Sequence, residues 1–255
     1  MKGRAVRRPE GVEATDRAPE TQVERRVDVV DWNRTLLDLD ARGNAVIEEV
    51  LTPASCDDLA ALYSDEAHFR SRVVMEQHGF GRGEYQYFRY PLPPLVGKLR
   101  AALYPHLVSL ANRWNEAMRI DTRYPDAHVD YLTRCHDAGQ MLPTPLLLKY
   151  GEGDYNCLHQ DLYGEHVFPL QVAILLSRPD RDFTGGEFVI TEQRPRMQSR
   201  PEVVSLCQGD AVVFAVHHRP VRGKRGMYRV NLRHGVSRLR SGQRLTLGLI
   251  FHDAA

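Results

Sequence analysis

The spacing of apolar residues changes about halfway along the chain. Val96, Leu99, Leu103, Leu107, Leu110, Ala111, Trp114 and Met118 recur every three or four positions, the period of an amphipathic helix. Pro105 within that run is expected to kink or break it. From residue 145 onward the apolar residues come instead as short runs, at 145–150, 169–176, 187–190, 203–206, 211–216, 228–232 and 245–251. Turn signals such as Arg178-Pro179-Asp180, Thr184-Gly185-Gly186 and Gly209-Asp210 separate them, so each run predicts a strand. Before the long helix, 32–39 predicts a short helix and 44–51 a strand after Gly43. Thr52-Pro53 caps a further helix carrying Cys56, Leu59, Leu62 and Tyr63. The stretch 124–142 reads as irregular. Helices first and many short strands afterwards predict an α+β fold, a double-stranded β-helix (jelly roll) backed by N-terminal helices.

Residues 1–27 mix Arg, Glu, Pro and Thr with almost no large apolar side chain, a composition expected of a disordered tail. The remainder, 28–255, is long enough for one domain with a full core. Hydrophobic content of 42% and charged content of 26% are ordinary for a soluble globular protein. Cys56, Cys135, Cys157 and Cys207 are scattered without Cys-x-x-Cys spacing, which points to reduced thiols and a cytoplasmic location. No apolar run approaches a membrane span, and no secretory signal opens the chain.

The candidate chemistry begins at 145–161. Gly151 and Gly153 break the first strand, and the chain resumes extended through Leu158 into His159-Gln160-Asp161. Alternation along an extended segment turns His159 and Asp161 to one face. An imidazole and a carboxylate there are two thirds of a 2-His-1-carboxylate triad, which leaves ferrous iron open positions. Alone, such a pair fits a surface hydrogen bond equally well. A third ligand must come from a later strand, from His217, His218 or His234. His234 has Arg244 ten residues on, across a tight turn, and a guanidinium there could pair with a dicarboxylic co-substrate held at its other end by the metal. His136-Asp137 lacks this strand context and reads as structural. Glu165 and His166 follow the metal motif as partners of the ligands or as loop residues.

Upstream, 79–90 interleaves aromatics with Arg and Gly. It is either a plain strand with Tyr85, Tyr87 and Arg89 on one face, or a substrate-facing ribbon in which Arg82, Tyr85 and Tyr87 meet a planar base.

At these residues the chain resembles the Fe(II)- and 2-oxoglutarate-dependent oxygenases, over roughly 145–253. The resemblance implies Fe(II) on His159, Asp161 and His234, the distal carboxylate of 2-oxoglutarate on Arg244 with Thr246, and a co-substrate hydrogen bond from Tyr150. Gly185-Gly186-Glu187-Phe188 and 209–214 resemble that superfamily's turn-and-strand pairs. Tyr150-x8-His159-Gln160-Asp161 is similar to the metal strand of alkylated-base repair dioxygenases, and 232–253 is similar to a bacterial oxygenase family suggested to act on damaged nucleic acid. The repair enzymes carry Arg-x-Asn-x-x-x-Arg after the distal His, whereas Arg229-Val230-Asn231 precedes His234. If Arg229 and Asn231 filled that role toward substrate, the ligand would be His217 or His218. His234 is favoured because it alone has a following Arg at the right distance.

The implied reaction consumes O2 and 2-oxoglutarate and yields succinate, CO2 and a hydroxylated carbon. On an N-methyl group that product releases formaldehyde. Over 194–244 twelve basic residues face two acids, Glu202 and Asp210, within a chain of net charge +1. The cluster suits phosphate contacts or a solvated face, and 217–226 within it reads as an exposed loop near the pocket. A prolyl-hydroxylase-type protein or small-molecule hydroxylase is the alternative, and a non-catalytic jelly-roll binding protein the third.

Overall fold

A computed structural model describes residues 19–255 of the chain. Two antiparallel sheets enclose its centre. The larger runs in the order β1 (Asn44–Ile47), β11 (Ala211–Ala215), β7 (Leu170–Leu175), β15 (Arg244–Leu249), β5 (Leu146–Tyr150), β4 (Glu84–Phe88) and β2 (Phe69–Val74). The smaller runs β10 (Arg200–Val204), β9 (Phe188–Gln193), β13 (Gly226–Val236), β6 (Tyr155–His159) and β3 (Gly81–Arg82), with β12 (His218–Gly223) also on β13. A two-stranded pair, β8 (Phe183–Gly185) with β14 (Leu239–Gly242), lies beside them. This is the jelly roll that the strand-rich second half implied.

Strict alternation gives the large sheet two faces. On β15, Leu245, Leu247 and Leu249 join the buried cluster shared with the helices, while Arg244, Thr246 and Gly248 line a central cavity. On β5, Leu147 faces the helices and Leu146, Leu148 and Tyr150 the cavity. The helices on the first face are α1 (Pro19–Asp28), α2 (Trp32–Arg42), α3 (Pro53–Ala61), α4 (Pro94–Ala117) and α5 (His128–Asp137). α4 buries Leu99, Leu103, Leu107 and Leu110 in the same cluster as Val172, Val212 and Leu249. Pro105 lies inside α4 on its exposed side and does not end it.

Four expectations change. Of the tail expected over 1–27, residues 1–18 lie outside the described residues. The rest is helical: Val23 and Val27, one turn apart, are buried, and α1 packs on α4. The strand expected over 44–51 stops at Ile47, where Glu49 adopts a positive φ of 50° and its N–H donates to the Asp210 carboxylate. The stretch 124–142 contains α5, whose buried face is His128, Tyr131 and Cys135, at helical spacing but without an aliphatic residue to reveal it. Finally, 217–226 is not a loop. β12 and β13 form a hairpin closed by Lys224-Arg225, and Arg219 is buried.

Arg219 explains part of the basic cluster. Its guanidinium donates to the carbonyls of Asp40 and Ala41 at the end of α2 and forms a short ion pair with buried Glu192. Arg194 and Arg200 also approach Glu192, at 3.0 and 3.9 Å. Three of the twelve basic residues are thus drawn to an acid just outside the counted window.

Candidate active site

Strand register brings the chemistry together. β13 pairs with β6 so that His234 lies opposite His159 and Val236 opposite Asn156, which leaves Cys157 and Leu158 in a bulge. A bulge shifts the phase of alternation. Both Asn156 and His159 therefore face the cavity although they stand three residues apart. Gly235 sits across from this bulge, where an added Cβ would come within 2.6 Å of the Asn156 carbonyl oxygen. The glycine lets the two backbones close.

One ligand atom each from His159, Asp161 and His234 lies within 4.8 Å of the others. His234 Nε2 is 3.4 Å from Asp161 Oδ2, and His159 Nε2 is 3.5 Å from Asp161 Oδ1. His217 and His218 lie elsewhere, their rings in tilted contact, with His218 on β12 opposite Asn231 on β13. Burial alone would raise the Asp161 carboxyl, but the hydrogen bond to His234, with His159 and Tyr163 beside it, holds it well below the usual carboxylate range. Burial and the neighbouring His159 push the His234 imidazole down. The cluster thus holds a carboxylate beside a neutral imidazole, the state a metal needs. His159 Nδ1 is 2.8 Å from the Cys157 carbonyl oxygen, which can only accept, so Nδ1 carries the proton and the Nε2 lone pair is free. His234 Nδ1 has no partner and packs between the Phe188 and Phe214 rings. These donors fit a ferrous ion with open positions.

Across the cavity, of about 220 Å³, lies Arg244. It is 2% exposed, and among the described residues no carboxylate pairs with it. Its Nη1 donates to Thr246 Oγ1 at 2.6 Å, and its guanidinium lies 5.7 Å from the Tyr150 ring centre, directly opposite on β5. Burial lowers the guanidinium to about 10, still charged at neutral pH. A buried cation with free donors facing a cavity is a receptor for an anion. The Tyr150 hydroxyl accepts a hydrogen bond from Asn156 Nδ2 at 3.3 Å.

Between cluster and solvent, Phe80, Tyr85 and Tyr87 line the cavity, and Phe80 is half exposed. The other expected substrate residues lie outside it. Arg82 is exposed beside Asp154, and Arg229 donates to the Met118 carbonyl at the end of α4. Asn231, on the outer face of β13, accepts from Gln160. The cause is parity: 229, 231 and 233 alternate with inward-facing Val230, Leu232 and His234. Glu165 is exposed, and His166 makes backbone hydrogen bonds to Gln140. Sequence reasoning missed Tyr163, whose hydroxyl donates to Asp161 Oδ1 at 2.8 Å, and Gln171, whose buried Nε2 is unpartnered at the cavity wall. The spacing Asp161-x-Tyr163 was the available signal for the first, and nothing local marks the second.

Residues 83–254 match the profile of the Oxygenase-NA family, described as an oxygenase catalysing oxidative methylation of damaged DNA. The chain belongs to the Oxygenase-NA family. An uncharacterized protein of Mycobacterium tuberculosis is 52% identical over 168 residues, which cover 66% of this chain and 72% of the relative. A 2OG-Fe(II) oxygenase family oxidoreductase from Burkholderia pseudomallei shares the fold, with TM-score 0.53, 15% identity and coverage of 89% and 94%. A Pseudomonas putida prolyl-4-hydroxylase does so at TM-score 0.50, 14% identity and coverage of 88% and 99%. This Oxygenase-NA protein is therefore an enzyme of the Fe(II)- and 2-oxoglutarate-dependent dioxygenase class, using Fe(II), 2-oxoglutarate and O2. Among the described residues no helix is long and apolar enough to cross a membrane.

Proposed function

We propose that this dioxygenase oxidises a C–H bond on an alkylated base of nucleic acid, with removal of an N-methyl group as the principal outcome. His159, Asp161 and His234 hold the iron, and Arg244 with Thr246 receives the distal carboxylate of 2-oxoglutarate. When bound, iron, 2-oxoglutarate and O2 supply an oxidant that hydroxylates a carbon, with succinate and CO2 released. The remaining work belongs to the chain. Arg244 orients the co-substrate by a planar, charge-assisted contact. Tyr150 supports that guanidinium with its ring. Phe80, Tyr85 and Tyr87 stack on the base and exclude water from the reacting carbon. Hydroxylation of an N-methyl group gives a hemiaminal that separates into the bare base and formaldehyde.

The observation that carries this reading is buried Arg244, with no carboxylate at ion-pair distance among the described residues, facing the His/Asp/His cluster across an aromatic-lined cavity. The family description favours nucleic acid as substrate. Exposed Arg222, Lys224, Arg225 and Arg233 remain for phosphate contacts after Glu192 has taken its three arginines. The test is succinate release by protein loaded anaerobically with Fe(II), then given O2 and 2-oxoglutarate, with and without N-methylated single-stranded DNA. Stimulation by the oligonucleotide with formaldehyde release supports the reading. Turnover indifferent to DNA refutes the substrate and turns the search to peptides and small molecules.

A further inference from the structure

Asp161 has two carboxylate oxygens, and they are not equivalent. Oδ2 is the one nearer His234 Nε2, at 3.4 Å. Oδ1 accepts a hydrogen bond from the Tyr163 hydroxyl at 2.8 Å, shorter than its 3.5 Å separation from His159 Nε2. Tyr163 follows the metal motif on an irregular segment, and its side chain turns back to the cavity wall beside Tyr85 and Tyr87. Its hydroxyl and that of Tyr87 are near enough to perturb one another. Among the described residues no other side chain outside the cluster donates to Asp161.

A carboxylate with both oxygens free can bind a divalent ion through one or both. Two-oxygen binding would occupy a further position on the ion, and a keto acid with O2 needs three. We propose that Tyr163 is a positioning residue. Its hydroxyl occupies Oδ1, so that Asp161 presents only Oδ2 to the metal and the open positions stay open. This rests on the assignment of His159, Asp161 and His234 as metal ligands.

The experiment uses Co(II), which is stable in air, and the full-length chain. Co(II) affinity, the visible spectrum of bound Co(II) (which reports coordination number) and 2-oxoglutarate affinity of the Co(II) protein are measured for wild type, Tyr163→Phe and His234→Ala. Tyr163→Phe keeps the ring and loses only the donor. The expected result is an altered Co(II) spectrum, about tenfold or more loss in metal affinity, typical when a partner of a ligand is removed, and weaker 2-oxoglutarate binding. The metal-free melting temperature should stay that of wild type. A lowered metal-free melting temperature with unchanged Co(II) affinity and spectrum would make Tyr163 structural and overturn the proposal. Should Tyr163→Phe fail to fold, 3-fluorotyrosine at position 163 preserves the shape and strengthens the donor, and an unshifted Co(II) spectrum would overturn the proposal equally. If His234→Ala binds Co(II) as wild type does, the ligand assignment itself fails. If it loses Co(II) while Tyr163→Phe behaves as wild type, only the role of Tyr163 fails.

Discussion

Replacing Arg244 by Met should make the protein more stable and disable it. Burial lowers this guanidinium from 12.5 to about 10. At 1.36 kcal/mol per pH unit that corresponds to a cost of about 3 kcal/mol for keeping the charge inside. The sign follows from linkage. A base whose folded pKa is depressed destabilises the fold while it is charged in both states, and relief comes only as pH rises through about 10. The penalty is therefore constant around neutral pH. Methionine is unbranched and flexible like the arginine stem, can settle against the Tyr150 and Phe183 rings that flank it, and removes the charge. Losing the hydrogen bond to Thr246 returns about 1 kcal/mol of the gain. A net gain of about 1–2 kcal/mol should raise the melting temperature by about 2–6 °C in protein without metal or co-substrate. Binding should move oppositely. Removing one partner of a buried charge pair costs about 3–5 kcal/mol, roughly two to four orders of magnitude in affinity. Thermal melts and titration calorimetry of 2-oxoglutarate into Co(II)-loaded protein measure both. A variant that melts lower and still binds 2-oxoglutarate within tenfold of wild type would falsify the assignment of Arg244 as an anion receptor.

Acid should weaken the fold before any carboxylate titrates. Burial pushes His128 and His217 down to about 4 and His252 to about 3, so the unfolded chain binds protons that the folded one refuses. Urea melts should give constant stability above about pH 7 and a decline below the usual histidine pKa of about 6.5, approaching about 1.4 kcal/mol per pH unit for each histidine; a flat profile down to pH 5 is the contrary result. Gly235→Ala should cost about 1–3 kcal/mol and loosen Co(II) binding, because the added methyl meets the Asn156 carbonyl and pushes β13 off β6 at the bulge. Wild-type Co(II) affinity in that variant would count against the register argument. Glu192→Gln should lose about 3–5 kcal/mol by leaving Arg219 buried without its counter-charge. Glu192→Gln combined with Arg219→Met should recover most of it, and a lack of recovery in denaturant melts would show that the pair was not the cause.

What the sequence disclosed followed the reach of each signal. His159 and Asp161 stand two residues apart, Asp161 just past the end of β6, so alternation sufficed to pair them, whereas grouping His234 and Arg244 with them rested on the resemblance to the oxygenases. Distances between strands were not available in that way. The bulge at Cys157 and Leu158 depends on how β6 meets β13, and it sets which of Asn156 and Leu158 faces the cavity. Arg229 and Asn231 were offered for a pocket from which parity on β13 turns them away. α5 stayed hidden because His128, Tyr131 and Cys135 supply its buried face, and α1 because two valines are enough when α4 is there to receive them. The Arg-rich count missed Glu192 by two positions and so overstated the free charge.

The pairing of β6 with β13 also has a kinetic side. His159 and His234 are far apart in the chain and meet only when that ladder has formed, and contacts of such separation form slowly because the loop between them must first be closed. A nascent or partly folded chain can offer a metal the His159-x-Asp161 pair alone, a weak and incomplete site. On the proposed ligand assignment, commitment to iron waits for the long-range ladder, and a half-made chain cannot become an oxidant before it has the walls to contain the reaction.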